Sequence, residues 1–424
     1  MIYYGSGSED TVMNSGDLRN GLYTALKKIG EKKNVLVVPP DFTRFHSRAG
    51  ELTTMIHEYY GESLKDILPA LGTHTAMTSA EIDRMFPKVP HSLFRVHDFR
   101  KDAITLGSVP GEYVSQITGG LLDYSWPAQV NKLISSGRYD LILSVGQVVP
   151  HEVIGMANYN KNLFVGTGGA EGINKSHFIG AVYGMEKIMG KADNPVRQLL
   201  NYASAKFINH LPVVYIHTVV GRDESGQLVT RGLFIGDNED VFTLAASLSV
   251  KINFTVLDEP VKKAVVWLDP EEFRSTWLGN KSIYRTRMAM ADDGELIVLA
   301  PALKEFGEDK EIDRLIRKYG YKGTRATLDA VKGNTELQNN LSAAAHLIHG
   351  STDGRFSVTY CPGNLTKEEI ESVGFRYGDL ASMKERYNPA VLKDGYNVMP
   401  DGEKVFFISN PAIGLWASEN RLNG

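Results

Sequence analysis

Across 424 residues the sequence has one cysteine, Cys361, in TYCPG. A lone thiol closes no internal disulfide and builds no thiolate cage, and a reducing cytoplasm is the expected compartment. Any bound metal must then be held by histidine, by carboxylate or by donors that are not protein. No stretch approaches the roughly 20 apolar residues that cross a bilayer. The first twenty residues lack the basic-then-apolar order of a secretory signal, so no membrane partner is expected. Positive charge is scarce too. The formal net charge is −4, with no lysine- or arginine-rich run, which argues against a nucleic-acid partner. HExxH and GxSxG are both missing, which removes the usual sequence cues for a zinc peptidase and for a serine hydrolase.

The chain alternates β-rich apolar runs with segments of helical period. Candidate strands are NVLVVPP (34–40), LFRVHDF (93–99), DLILSVGQVV (140–149), VVYIHTVVG (213–221), AVVWLD (264–269), ELIVLAP (295–301), RFSVTYCP (355–362) and KVFFISN (404–410). Helical segments between them include AGELTTMIHEYY, SHFIGAVYGMEKIM, VFTLAASLSVKINFTVL, KEIDRLIRKYG and TELQNNLSAAAHLIHG. This order predicts an α/β fold: two α/β domains with mainly parallel sheets and a cleft between them. The charged, proline-bearing segment LDEPVKK is the expected crossing. Residues 1–262 form the first domain, 263–410 the second, and the tail 411–424 returns to the first. VVGRDESGQLVTRGLFIG reads as a hairpin turning on Asp-Glu-Ser-Gly.

Polar groups follow four of the predicted strands or their loops, where ligands of open α/β sheets bind. PPDFTR (39–44) offers Asp41, Thr43 and Arg44, and an arginine there suits a carboxylate or phosphate. In LGTHTAMTSAEID (71–83), Gly72 permits a tight turn before His74, and Thr78 with Glu81 predicts a capping box. PHEVIGMANYNK (150–161) sets His151 and Lys161 ten residues apart on one loop. VGTGGAEGINKSHF (165–178) is glycine-rich ahead of a helix that Asn174 would cap, with amides free for a phosphate. His177 would then stand in the first helical turn, where the helix dipole favours a neutral, metal-binding imidazole. His346 and His349 lie on an alanine-rich helix and read as packing and surface residues.

Together DFTR, GTH, PHEVIGMANYNK and NKSH resemble the nickel-pincer lactate racemase family, the nickel-dependent 2-hydroxyacid racemases and epimerases. Order and intervals match, with ten residues from His151 to Lys161 and sixteen from Lys161 to His177. The resemblance implies a nickel(II) pyridinium-3,5-bisthiocarboxylate mononucleotide, the nickel-pincer nucleotide, joined to Lys161 and ligated through nickel by His177. Asp41, Phe42, Thr43 and Arg44 would lie against it, and cofactor-biosynthesis proteins would be partners. His74 and His151 would be the two bases that exchange the substrate's hydroxyl proton while C2 gives up and regains a hydride.

Departures from the family bear on substrate. Asn158, Tyr159 and Asn160 replace small residues between the histidine and the lysine. The family's second-domain tyrosine, glutamine and lysine become Tyr284, Arg285 and Met288, the last beside Arg287. With Arg44, the residues Asn158, Tyr159, Tyr284, Arg285 and Arg287 are expected to bind substrate. They suit a polar 2-hydroxyacid such as an aldonic sugar acid of the gluconate type, because a methyl group would leave buried polar groups unpaired. The alternatives are lactate racemase itself and a non-catalytic protein that binds the pincer cofactor. The number of subunits cannot be read from the sequence.

Overall fold

The computed structural model describes every residue except Glu224, Ile413, Asn423 and Gly424. Contacts divide the chain into two units, one of residues 1–179 and 188–253, the other of residues 180–187 and 254–424.

The first unit is built on a six-stranded sheet. Its strands are β1 (Ile2–Gly7), β2 (Val35–Val38), β3 (Leu64–Ile67), β4 (Leu141–Gln147), β5 (Val213–Arg222) and β6 (Leu228–Gly236), in spatial order β1-β6-β5-β4-β2-β3. β3, β2, β4 and β5 run parallel, and β5, β6 and β1 pair antiparallel. The β5–β6 hairpin is the expected one, though Glu224 of its turn lies outside the described residues. Helices are α1 (Ser15–Ile29), α2 (Ala49–Tyr60), α3 (Ser79–Met85), α4 (Ala170–Tyr183), α5 (Pro195–Ala203) and α6 (Glu239–Asn253). Asn14 and Thr78 open α1 and α3 with capping boxes, the second as the Thr78–Glu81 spacing predicted.

Alternation along the strands assigns the faces. Val35 and Val37, Leu141, Leu143 and Val145, Val214 and Ile216, and Leu233 and Ile235 share one apolar core with Leu18, Leu22 and Leu26 of α1 and Leu52, Met55 and Ile56 of α2. Of the residues of opposite parity, His217 meets Phe242 of α6 on the other face, and Tyr215 stacks on His217. Each fully buried leucine contributes about 1.5–3 kcal/mol, so this face carries much of the stability of the scaffold under the loops.

The second unit has a sheet of β7 (Val261–Trp267), β8 (Met290–Ala300), β9 (Ser357–Pro362), β10 (Arg376–Tyr377), β11 (Gly395–Val398) and β12 (Lys404–Ile408), ordered β10-β9-β8-β7-β12-β11. All pairings are parallel except β11 with β12. The α/β class with mainly parallel sheets is therefore as expected. The division falls at 253/254 rather than at 262/263, because α6 ends at Asn253 and Thr255–Leu257 pairs with Trp416–Ser418 inside the second unit. That pairing keeps the described part of the tail in the second unit instead of returning it to the first.

Three local readings change. LFRVHDF is not a strand: Pro90 leads into a short 3-10 turn at His91–Leu93, and Phe94 makes only an isolated bridge to Ile67. SHFIGAVYGMEKIM is not one helix, since Gly184 at φ +108° ends α4 and a second short helix, Met185–Ile188, follows. His346 and His349 are both buried, with His346 stacked 4.3 Å from Trp277. Among the described residues no helix is long and apolar enough to cross a membrane.

Candidate active site

β4, β2 and β3 are neighbours and parallel, so their carboxyl ends lie along one edge of the sheet. Asp41 follows β2 after two prolines, His74 follows β3 after Gly72, and His151 follows β4 after Pro150. Gly72 takes φ +57°, which a Cβ would strain, and its N–H donates to the Gly166 carbonyl at 2.8 Å. That bond ties the His74 turn to the short π-helix Asn162–Gly166, which begins directly after Lys161.

His74 Nδ1 donates to Asp41 Oδ2 at 2.7 Å, and the Thr43 hydroxyl donates to Asp41 Oδ1. Burial would push the Asp41 carboxyl up, yet the His74 and Thr43 hydrogen bonds and the His74 charge hold it below the usual carboxylate range. Asp41 is thus a buried, ionised anchor that fixes the ring of an exposed histidine. With Nδ1 protonated toward the carboxylate, the Nε2 lone pair of neutral His74 is open.

His151 is arranged the other way. It is 9% exposed, and its Nδ1 accepts the Val153 backbone N–H at 3.1 Å, so a neutral ring carries its proton on Nε2. Burial drives its pKa well below the ordinary value, and the charges of Lys161 and Arg44 push the same way. Glu152 opposes that shift, with Oε2 lying 3.9 Å from His151 Nδ1. Arg44 is half-buried at the kink of the 3-10 segment Phe42–Ser47, and its charge bears on both His151 and Lys161.

Lys161 has its pKa lowered to about 8, by burial first and then by the Arg44 charge. A substantial neutral fraction near neutral pH makes it a nucleophilic amine. His177 donates from Nδ1 to the Ile173 carbonyl at 2.8 Å, which leaves Nε2 free, and burial lowers its pKa to about 4. Its neutrality comes from burial and not from a helix terminus. α4 begins at Ala170, so His177 lies two turns in and Asn174 is an interior residue rather than a cap.

The glycine-rich stretch is not an open phosphate cradle. The Ala170 and Gly172 N–H groups donate to the Phe99 carbonyl and to Gln129 Oε1. His97 pins Gly168 through its carbonyl at 3.0 Å, and a Cβ on Gly168 would lie 1.9 Å from the Phe164 carbonyl oxygen. These glycines serve close packing. Phe42 is half-buried and packs on the core beside Phe45, 5.3 Å away.

Asn158 and Tyr159 are 3% and 7% exposed and are engaged by the core. Asn158 Nδ2 donates to His217 Nδ1 at 3.0 Å, and Tyr159 stacks on Phe242 at 5.0 Å. Both take left-handed backbone, φ +67° and +60°. For a tyrosine that conformation costs about 1–2 kcal/mol. Sequence pattern does not reveal such a pair, because glycine is the usual signal for it. In the second unit Tyr284 is buried, Arg285 is half-buried, and Arg287 is committed to Glu186 at 2.9 Å and to the Ser351 carbonyl at 2.9 Å.

Residues 20–189 match the family model described as the lactate racemase N-terminal domain. Over those residues the chain is similar to the lactate racemase N-terminal domain. No curated protein matches it in sequence. Among solved structures it is similar to a Thermotoga maritima protein, at 23% identity with TM-score 0.79, covering 98% of this chain and 100% of that one. It is also similar to the lactate racemase apoprotein of Thermoanaerobacterium thermosaccharolyticum, at 16% identity with TM-score 0.68, covering 98% and 94%. Those two likenesses establish the fold. The matched region contains Asp41, Arg44, His74, His151, Lys161 and His177.

Proposed function

We propose that this racemase-family chain inverts C2 of a 2-hydroxyacid, by reversible loss of the hydroxyl proton and the C2 hydride through a planar 2-oxo acid. The observation that carries this reading is the gathering of the Asp41–His74 pair, His151 and Lys161 at the carboxyl ends of three neighbouring strands. His74 takes the hydroxyl proton at Nε2, and the Asp41 carboxylate stabilises the imidazolium that forms. His151 offers an Nε2–H to the substrate oxygen from a site where burial keeps the ring neutral. Arg44 suits the substrate carboxylate, since a guanidinium binds it through two parallel N–H groups.

Lys161 and His177 fit the nickel-pincer nucleotide that the family resemblance implies. A half-buried amine with a pKa near 8 can be acylated, and a neutral imidazole with Nε2 free is a metal ligand. Among the described residues no group of three or more His, Cys, Asp or Glu could hold a metal, so further donors would arrive with the group itself. Lys161 would tether it and His177 would ligate its nickel. When bound it supplies a reversible hydride acceptor next to the substrate.

The aldonic-acid version of the reading loses Asn158 and Tyr159, which are core residues, and Arg287, which is ion-paired. We therefore state the substrate as a 2-hydroxyacid without a chain-length preference. Chiral chromatography on a panel from lactate through malate to gluconate tests the function, using chain purified from cells that also make the cofactor. One acid should lose its optical purity or epimerise at C2. Retention of configuration in every acid by cofactor-loaded chain would overturn the proposal.

A further inference from the structure

Arg197, near the start of α5, is fully buried, and no ion pair to a carboxylate is seen among its described contacts. Its partners are oxygens of one loop. Nη2 donates to the Met156 carbonyl at 2.7 Å, Nη1 and Nη2 both approach the Asn158 carbonyl at 3.5 Å, and Nη1 donates to Asn160 Oδ1. The guanidinium also lies 4.4 Å from the Phe242 ring centroid and 5.7 Å from that of Tyr159. Asn160, wholly buried, completes the clamp by donating to Asn201 Oδ1 at 2.7 Å and Ser204 Oγ at 3.1 Å.

A buried charge with no carboxylate in direct contact, Glu239 acting on it only through space, is expensive, and it persists where its hydrogen bonds hold something that would otherwise relax. Here that is the pair of left-handed residues Asn158 and Tyr159, the guanidinium approaching the Asn158 carbonyl and lying beside the Tyr159 ring. Lys161 begins two residues after Tyr159. We infer that Arg197 is the positioning residue for Lys161, holding residues 156–160 in the turn that delivers the lysine amine into its half-buried place at the site. This rests on the reading of Lys161 as the reactive amine. Arg197 touches neither substrate nor cofactor in this account.

The test uses apo chain and trace acetic anhydride, which acetylates a neutral amine and releases acetate and a proton. Peptide mass spectrometry over a pH series gives the labelling midpoint of Lys161, with exposed lysines as internal standards. In wild type the midpoint should lie near 8. In Arg197→Met, and in Arg197→Lys, which keeps the charge but not the planar fork, it should move toward the ordinary lysine value of about 10.4. The Arg197 charge itself lowers the Lys161 pKa, so Arg197→Lys is the deciding variant: an arginine without a positioning role would lower stability and leave the midpoint in place there. Should Arg197→Met fail to fold, Asn160→Ala removes one acceptor, and its midpoint should shift the same way by less. An unshifted midpoint in folded variants overturns the inference. Adduct mass on co-expressed wild type separates the two ideas: no adduct defeats the tether reading, while the midpoint still judges Arg197.

Discussion

The turn after β3 and the loop after β4 deliver one histidine each, by opposite physical means. His74 is exposed, and a side chain from another strand end, the buried Asp41, orients it. His151 is buried, and its own backbone orients it, through the Val153 N–H. In their neutral forms the first ring presents a lone pair at Nε2 and the second a proton. The two histidines proposed as the bases are thus inequivalent at rest, one set to accept and the other to donate. For His151 to act as a base in the reverse sense, its proton must move from Nε2 to Nδ1 so that Nε2 presents a lone pair, and Glu152 stands 3.9 Å away on the Nδ1 side.

Removing either ring should break the comparison most severely. His74→Ala and His151→Ala should each lower racemisation about 10²–10⁴-fold, the usual range for general acid–base groups, while adduct mass on Lys161 is retained. Loss of the adduct in either variant would mean the ring is structural. Asp41→Asn should sharpen the contrast by disabling only the His74 side. A fall of about tenfold or more in turnover is expected, with adduct formation on Lys161 unchanged, and undiminished turnover would contradict the anchoring role. The same substitution has a stability signature. Because the folded Asp41 pKa is depressed, its contribution is present above the unfolded value near 3.9 and is lost as pH falls through the folded one. Acid unfolding of wild type and Asp41→Asn should therefore diverge at neutral pH and converge in strong acid.

His177→Ala should weaken nickel retention on the co-expressed chain, measured by metal content per subunit, and unchanged content would refute the ligand assignment. The smallest expected effect concerns His217, buried behind the His151 loop with its pKa lowered to about 3, by burial first and then by the Arg197 charge. The unfolded chain binds a proton there below about 6.5 and the folded chain does not, so stability drops as pH falls from about 6.5 toward 3. His217→Gln should flatten that slope by about one proton in urea titrations across the window. An identical slope would exclude His217 as a contributor.

Much of the site was legible because its residues follow apolar runs punctuated by proline or glycine. PPDFTR, GTH and VVPH announce strand ends directly, and parallel neighbours then bring them to one edge. β3 was not legible: LKDI holds Asp66 at its centre, buried against Tyr139 and Arg95, and a charged residue masks a four-residue strand. GTGGAEG misled because glycines that permit close packing look the same in sequence as glycines that free amides for a phosphate. Asn158 and Tyr159 misled for a related reason, since polar residues on a predicted loop read as exposed until a buried guanidinium is known to hold their backbone. Arg197 itself lies 36 residues beyond Lys161, in a helix start marked by Asn194-Pro195. An arginine among Val196, Leu199 and Leu200 on an amphipathic helix was the one available hint that it points inward.

Intact-protein mass after co-expression with cofactor-making enzymes is the measurement closest to the central claim. The account predicts a covalent adduct mapped to Lys161 in wild type and absent from Lys161→Ala. An unmodified wild-type chain, or an adduct that survives in Lys161→Ala, would contradict it.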